Sequence, residues 1–493
     1  MRDTGWDPKA NTAKLNAVHD NGRDWRINLP SAQALSYGLK PAPLICYGCY
    51  FSLAVLIIGF IFFPYKTGGL LAGFIGIFGA IIGLMRLAAT FTPLTSAHSL
   101  KNINAKALNI WPHYTVLVPL YKEDRVVPKL MQSLSALDYP QDRLEIMMVC
   151  EADDLETIAA VQKRLTAPFK LIAVPPSLPR TKPKALNMAL QQARGEIVTI
   201  YDAEDHPHPQ QLKIAARRLM NDSRLGAVQA PLDYYNISVN WLTRQFTLEY
   251  AFLFRVWLPF LTRLGLPFPL GGTSNHIRRE ALDAIGGWDA YNVTEDADLS
   301  FRLAALGYQI GYIPAPTQEE AVESWQAWQY QRARWMKGFL QTWLVHMSRP
   351  FLPGGMIGAL RFFTVQITIG SALMAGLIHV PFMIYLCGVT ALRFAGYDLP
   401  SPSPWVWAGL ALCYGAGMVS GGLAAWRLGQ RHLLWHVPLM PLYWWLLFPA
   451  TLQAIWEFLC APFHWNKTEH GLTEPSEDVT GKTIHANVRG FTS

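Results

Sequence analysis

Apolar residues are gathered at the two ends of the chain. Residues 1–40 form a polar arm, after which Pro43 to Phe63 is almost unbroken hydrophobic sequence and Gly68 to Ala89 is a second such run. Each is close to the ~20 apolar residues a bilayer span requires. Only Pro64-Tyr65-Lys66-Thr67 separates them, so residues 41–90 are expected to form a transmembrane hairpin. Towards the other end, Phe362 to Val389, Pro404 to Trp426 and Leu433 to Leu459 are again apolar, within a C-terminal membrane region over 355–461. The last of these contains Pro438, Pro441 and Pro449, which suit an interfacial or re-entrant helix better than a straight span. Whether it crosses the bilayer stays open at this level.

Between these regions the pattern changes. Tyr114 to Val118, Leu144 to Cys150, Leu171 to Val174 and Ile197 to Tyr201 are short runs rich in β-formers. Helical patterns separate them near Asp124 to Leu137, Leu155 to Leu165 and Pro183 to Arg194. Strands alternating with helices at this spacing predict an α/β domain with a mostly parallel, doubly wound sheet, over about 110–349. Such sheets bind ligands in the loops after the carboxyl ends of their strands. Arg244 to Leu264 and Trp325 to His346 are apolar but carry arginines and tryptophans, and are expected to be helices lying in the membrane interface.

Composition agrees with a membrane chain: 51% hydrophobic residues, 16% charged and 18 tryptophans. The net charge of +7 suits an anionic lipid surface or nucleotide phosphates. No basic run with interleaved aromatics appears, so nucleic acid is not an expected partner. Arg23, Arg26 and Lys40 precede the first apolar run and Arg86, Lys101 and Lys106 accompany the end of the second, against Lys66 alone in the hinge. The positive-inside rule then puts the arm and the central domain in the cytoplasm. The polar arm argues against a cleavable signal peptide, and six scattered cysteines give no disulfide framework.

Acidic motifs follow the strands in order. Tyr121-Lys122-Glu123 comes after the first, Glu151-Ala152-Asp153-Asp154 after the second, and Asp202-Ala203-Glu204-Asp205 after the fourth. Asp153 and Asp154, taken alone, read best as caps of the helix beginning near Leu155. Asp202, Glu204 and Asp205 repel one another, a cost that a hard divalent cation such as Mg2+ or Mn2+ would offset. Read alone, a solvated turn is an equal alternative. Thr294-Glu295-Asp296 is balanced between a helix N-cap and a general base. Further on lies Gln331-Arg332-Ala333-Arg334-Trp335.

Taken together, these motifs resemble the processive family 2 glycosyltransferases, the cellulose synthase-like group, whose signature is three separated acidic motifs followed by Gln-x-x-Arg-Trp. The resemblance covers roughly Tyr114 to Arg349 and the flanking membrane segments. It implies a GT-A fold and an inverting single displacement on a UDP-sugar with Mg2+ or Mn2+. Asp296, with Glu295 beside it, would act on the acceptor hydroxyl. Tyr121, Glu123, Glu151, Asp153, Lys184, Asp202, Gln331 and Arg334 would bind the nucleotide sugar, and Asp202, Glu204 and Asp205 the metal. Lys184 belongs to the run Lys182-Pro183-Lys184, which looks like the family's basic segment. The motif at Glu151 departs from the usual Asp-Asp, so which acid meets uracil is open, and Asp-Ala-Glu stands where Asp-x-Asp is usual. Trp335, Gly272, Ser274 and Asn275 would face the acceptor. Lys467 and Thr468, in the tail after residue 461, loosely resemble a gating loop.

The expectation with the most support is a processive β-glycan synthase of a bacterial inner membrane, using UDP-glucose and extruding polysaccharide across the bilayer. UDP-N-acetylglucosamine is the alternative donor, and a non-processive transfer to a lipid acceptor the alternative reaction. Regulation by a cyclic dinucleotide would need an accessory subunit.

Overall fold

The computed structural model describes residues 43–92, 110–177, 179–348 and 356–462. Two apolar helices, α1 (Pro43–Phe62) and α2 (Pro64–Phe91), lead into the central domain. Pro64 starts the second helix, where its missing N–H costs nothing.

The domain begins with β1 (Tyr114–Leu120), α3 (Val127–Ser135), β2 (Leu144–Glu151), α4 (Leu155–Gln162), β3 (Phe169–Val174), α5 (Lys182–Leu190) and β4 (Ile197–Ile200). Next come β5 (His206–Pro207), α6 (Gln211–Asn221), β6 (Leu225–Gln229), β7 (Leu232–Tyr234), α7 (Trp241–Phe252) and α8 (Leu258–Arg263). It closes with β8 (Asn275–Arg278), α9 (Arg279–Ala284), α10 (Glu295–Ala305), β9 (Gln309–Tyr312), β10 (Thr317–Glu319) and the long α11 (Trp325–Ser348). The main sheet has the order β3-β2-β1-β4-β8-β6-β9, and β5-β10-β7 form a small second sheet. β1 pairs in parallel with both β2 and β4, so the strand order reverses beside β1. That crevice is where open α/β sheets bind ligands. β8 runs antiparallel to both of its neighbours, the one departure from the parallel pattern in this sheet. Runs such as Val116, Leu117, Ile146, Met148, Val198 and Ile200 are fully buried, as strands covered on both faces must be.

The segment expected to lie in the interface over 244–264 is α7, a π-helical turn (Leu253–Trp257) and α8. Phe254, Val256, Trp257, Leu258 and Leu261 pack into the same core as Leu186, Ile200 and Leu299. Arg255 is buried on Asp233, so an ion pair inside the protein, rather than snorkelling to a membrane surface, explains its charge.

After α11 come α12 (Met356–Val365), a π-helical turn (Gln366–Gly370), α13 (Ser371–Phe394) and α14 (Pro404–Arg427). The last apolar stretch is broken into a 3-10 segment (Arg431–Leu439), α15 (Met440–Trp445) and α16 (Leu447–Cys460), as its prolines demand. Among the described residues, three helices are long and apolar enough to cross a membrane: Pro64–Phe91, Gly358–Phe394 and Pro404–Arg427. α2 and α14 meet through glycines. A Cβ at Gly409 would lie 2.3 Å from the Gly76 carbonyl oxygen, and one at Gly83 3.0 Å from that of Leu412. Small residues permit this close approach of apolar helices.

Candidate active site

Strand ends and helix starts converge on one cavity of about 1170 Å³. Tyr121 and Glu123 follow β1, Glu151 ends β2, Asp202 and Glu204 follow β4, and Glu295 and Asp296 open α10; all line it. Gly272 comes from the loop before β8, and Gln331, Arg334 and Trp335 from α11. Residues dispersed from 121 to 335 therefore share one space because the sheet brings its strand ends together and α11 crosses them.

Lys182, at the start of α5, links the acids. Its Nζ donates to Asp202 Oδ1 at 2.5 Å and to the Gly272 carbonyl at 3.0 Å. Burial alone would lower its pKa, but Asp202, Glu295 and Asp296 together raise it, so it stays a cation. Burial pushes the Glu295 carboxyl up to about 7, helped by the neighbouring Asp296 charge and opposed by Lys182 and Arg334. Asp296 is likewise raised by burial, against the Ala297 backbone N–H, Lys182 and Arg334. This carboxyl pair is thus tuned towards neutral pH, where a general base is most effective.

The α10 start is itself pinned by α11. Val293 N donates to Gln341 Oε1 at 3.0 Å, and Asn292 Nδ2 to Thr342 Oγ1 at 2.9 Å. Below them, Asp298 is held by Arg302 at 2.7 Å and His346 at 2.9 Å, all buried. Trp335 lies near Tyr250 (6.4 Å between ring centroids, stacked) and Phe246 (6.0 Å, edge-on), with the Arg332 guanidinium 4.5 Å from its ring centroid. Arg332 in turn is held by both oxygens of Glu249, at 2.7 and 2.5 Å. The Gln331 Oε1 is buried and meets no hydrogen-bond donor among the described residues.

Several residues named from the sequence sit elsewhere. Ser274 and Asn275 are fully buried at the start of β8, inside the sheet: the Ser274 Oγ meets Thr317 Oγ1 at 2.5 Å and Asn275 Nδ2 donates to the Gly271 carbonyl. Of that loop, Gly271, Gly272 and Thr273 line the cavity. Asp205 points inward, accepting from Asp202 N at 2.7 Å and from the Thr273 hydroxyl; burial, with the charges of Asp202 and Glu204, raises its pKa strongly. It braces the loop instead of facing the cavity. Asp153 is tied to Arg180 at 2.6 Å outside the lining. Asp154 caps α4 and accepts from Lys122 N. Lys184 stands behind the wall, 3.2 Å from Glu151; Lys182 is the lysine that reaches in. Lys467 and Thr468 lie outside the described residues.

Arg180, Glu319 and Arg86 are among the lining residues not singled out as site residues. The Arg180 guanidinium lies 4.9 Å from the Tyr121 ring centroid. Glu319, at the end of β10, faces the same space, and burial with the charges of Asp205, Glu204 and Asp202 raises its pKa. β10 pairs with β5 so that Glu319 continues the register opposite Asp205. Arg86 reaches the cavity from α2. A pattern of local motifs has no way to express these long-range approaches.

Among the described residues, no group of three His, Cys, Asp or Glu side chains could hold a metal by itself. Asp202 and Glu204 do both face the cavity. Two hard carboxylates completed by diphosphate and water are the ordinary donor set for Mg2+ or Mn2+, so these residues fit such an ion when a nucleotide sugar is present.

Residues 112–338 match the family described as glycosyltransferase like family 2. A probable glycosyltransferase, YdaM, of Bacillus subtilis is 30% identical over 238 residues, covering 46% of this chain and 55% of that one. A β-monoglucosyldiacylglycerol synthase of Synechocystis is 31% identical over 237 residues, covering 48% and 49%. The chain thus spans about half the length of these curated relatives. Among solved structures, a mannosyltransferase from Pyrobaculum calidifontis, in complex with GDP-mannose and Mn2+, is 22% identical; the alignment covers 70% of this chain and 98% of that one at a TM-score of 0.42. The family match and the sheet described above give residues 112–338 the GT-A glycosyltransferase fold, in a domain similar to the family 2 glycosyltransferases.

Proposed function

We propose that this protein is an inverting, membrane-embedded hexosyltransferase that moves a sugar from a nucleoside-diphosphate donor, UDP-glucose foremost, onto a hydroxyl of a lipid acceptor. One observation carries the choice of acceptor. The cavity holding the acidic residues continues without a break between the apolar helices, where Ile75, Phe78, Ile82, Met374, Ile378 and Leu410 form its walls. A lining of this kind suits acyl chains. The relative named for glucosyl transfer to diacylglycerol points the same way.

In this reading the donor lies over the strand ends, its nucleotide against Tyr121, Arg180 and Glu151 and its diphosphate towards Lys182 and Arg334. A divalent cation on Asp202 and Glu204 would neutralise the diphosphate. Asp296 takes the proton of the acceptor hydroxyl as its oxygen attacks the anomeric carbon. The bond from that carbon to the diphosphate oxygen breaks on the opposite face, and the nucleoside diphosphate leaves. Lys182 and Arg334 stabilise the charge gathering on it; removing a general base such as Asp296 lowers rates by ~10²–10⁴-fold. Trp335 offers a ring face to the acceptor. The charge bias around the apolar helices supports a catalytic domain on the cytosolic side of a bacterial inner membrane.

Processive synthesis of a β-glycan is the second reading, favoured by Trp335, Tyr414 and Trp444, whose rings line the same passage and could stack on sugars. Purified protein incubated with radiolabelled UDP-glucose, UDP-N-acetylglucosamine or GDP-mannose, Mg2+ or Mn2+, and bacterial lipid separates the two. Label in a chloroform-soluble product of one or two sugars is expected, and Asp296→Asn abolishes it. Label in a water-insoluble polymer would transfer the assignment to the second reading, and no label with any donor would end both.

A further inference from the structure

The α2 residues lining the cavity are Ile75, Phe78, Gly79, Ile82 and Arg86, one helical face by their spacing. Four are apolar or small, and the fifth is an arginine. At 1.5 Å per residue, Arg86 lies about 16 Å along the helix from Ile75, towards the end that joins the catalytic domain. A cation on the inward face of an apolar helix calls for a partner. The Arg86 guanidinium forms no hydrogen bond or ion pair among the described residues. It is held over two rings, 4.9 Å from the Phe252 centroid and 5.9 Å from that of Trp444. The acid facing the same space, Glu249, is already engaged by both terminal nitrogens of Arg332 and by the Tyr443 hydroxyl. Opposite, Gly417 makes room: a Cβ there would lie 3.0 Å from Arg86 Nη1 and 2.6 Å from the Trp444 ring.

We propose that Arg86 binds the phosphate of a membrane lipid whose acyl chains occupy the apolar part of the cavity, so that the acceptor is a phospholipid carrying a free headgroup hydroxyl. This rests on the lipid-acceptor reading and deepens it. A guanidinium fixed between rings presents a planar fork of donors, the geometry that matches a phosphate bidentately. The order along the passage is then acyl chain, phosphate, hydroxyl, and finally the anomeric carbon beside Asp296. A hydroxyl linked beyond the phosphate would reach the base with no further binding group. The transfer balances as before: the hydroxyl oxygen joins the anomeric carbon, its proton goes to Asp296, and the nucleoside diphosphate departs.

The test is a binding measurement that needs no turnover, so it stands even if sugar transfer fails. The full chain in neutral-lipid nanodiscs is titrated with phosphatidylglycerol or with diacylglycerol, read by tryptophan fluorescence and by native mass spectrometry of retained lipid. Phosphatidylglycerol is expected to bind at least tenfold more tightly than diacylglycerol. Arg86→Gln removes that preference while UDP affinity, measured calorimetrically, is unchanged, and Arg86→Lys restores part of it. Equal binding of the two lipids by the wild-type protein would overturn the proposal without any variant. So would an Arg86→Gln protein that binds UDP and still prefers phosphatidylglycerol.

Discussion

Lys182 Nζ lies 2.5 Å from Asp202 Oδ1, and the same ammonium opposes the rise in pKa of Asp296. The loop glycine that accepts its second bond closes the geometry: a Cβ at Gly272 would be 3.4 Å from Asp296 Oδ2 and 3.8 Å from Lys182 Nζ. One lysine thus spans Asp202 and Asp296, which the proposed reaction assigns to the diphosphate end and the acceptor end of the site. Lys182→Met is expected to lower kcat/KM by about a hundredfold, the scale of losing one preorganised charge. Asp296 would also lose a favourable neighbour, so the acid limb of the pH–rate profile should move to higher pH. A variant with the wild-type limb would detach Lys182 from Asp296.

Glu295 is raised by the Asp296 charge and does not itself set the ionisation of Asp296. A base works only when ionised, and the two adjoining carboxyls are both raised by burial, Glu295 to about 7. Activity should therefore fall as pH drops towards the raised Asp296 carboxyl, above the ordinary aspartate range. Glu295→Gln removes the carboxyl that the Asp296 charge helps to raise, whereas Asp296 is raised by its own burial. The acid limb should therefore stay in place, with a smaller loss of rate at pH 8 than Asp296→Asn causes. A pH–rate series on the three proteins decides it, and an acid limb in the wild type near pH 4 would contradict the tuning.

How much of this could be read from the sequence varies by residue. The fold class and the sequence positions of β1 to β4 were legible because buried parallel strands are short, β-rich and evenly spaced. The antiparallel β8 was not, because Asn275-His276-Ile277-Arg278 is polar: His276 is buried on Tyr114 at 2.6 Å, with burial driving its pKa to about 3. Acids at strand ends were visible as motifs, but which of them turn inward was not. Asp205 follows Glu204 directly and faces the other way, and Lys184 follows Lys182 by two and misses the cavity wall. Spacing along the chain carries no information on such orientations where the backbone is turning. Arg86 was noted only for its charge, since its pairing with a cavity depends on helices more than 300 positions apart.

Gly338 tests how α11 holds the base. A Cβ there would lie 2.3 Å from Thr294 Oγ1 and 2.5 Å from its methyl carbon, far inside contact distance. Thr294 is β-branched and buried, so it cannot swing clear without moving the backbone that carries Glu295 and Asp296. Gly338→Ala should improve helix propensity by up to ~1 kcal/mol and yet lower kcat at least tenfold with UDP affinity retained. A variant as active as the wild type would mean the α10 start tolerates displacement.

The Glu249–Arg332 pair should be structural, with its effect on catalysis indirect. Arg332 is 3% exposed and lies 4.4 Å from the Phe246 ring centroid, so its charge depends on the carboxylate. Glu249 is partly open to the cavity, so removing it costs less than the ~3–5 kcal/mol of a fully buried pair, whereas replacing both members by apolar groups of similar size is often neutral. Glu249→Ala should accordingly lower the apparent Tm in detergent, and Glu249→Leu with Arg332→Met should recover most of it. The double variant is also expected to keep UDP affinity, because the proposed nucleotide position is against Tyr121, Arg180 and Glu151, while Glu249 and Arg332 are engaged with each other and with Tyr443. If the double variant is as unstable as the single one, the loss comes from packing on Phe246 and Trp335, with the paired charges contributing little.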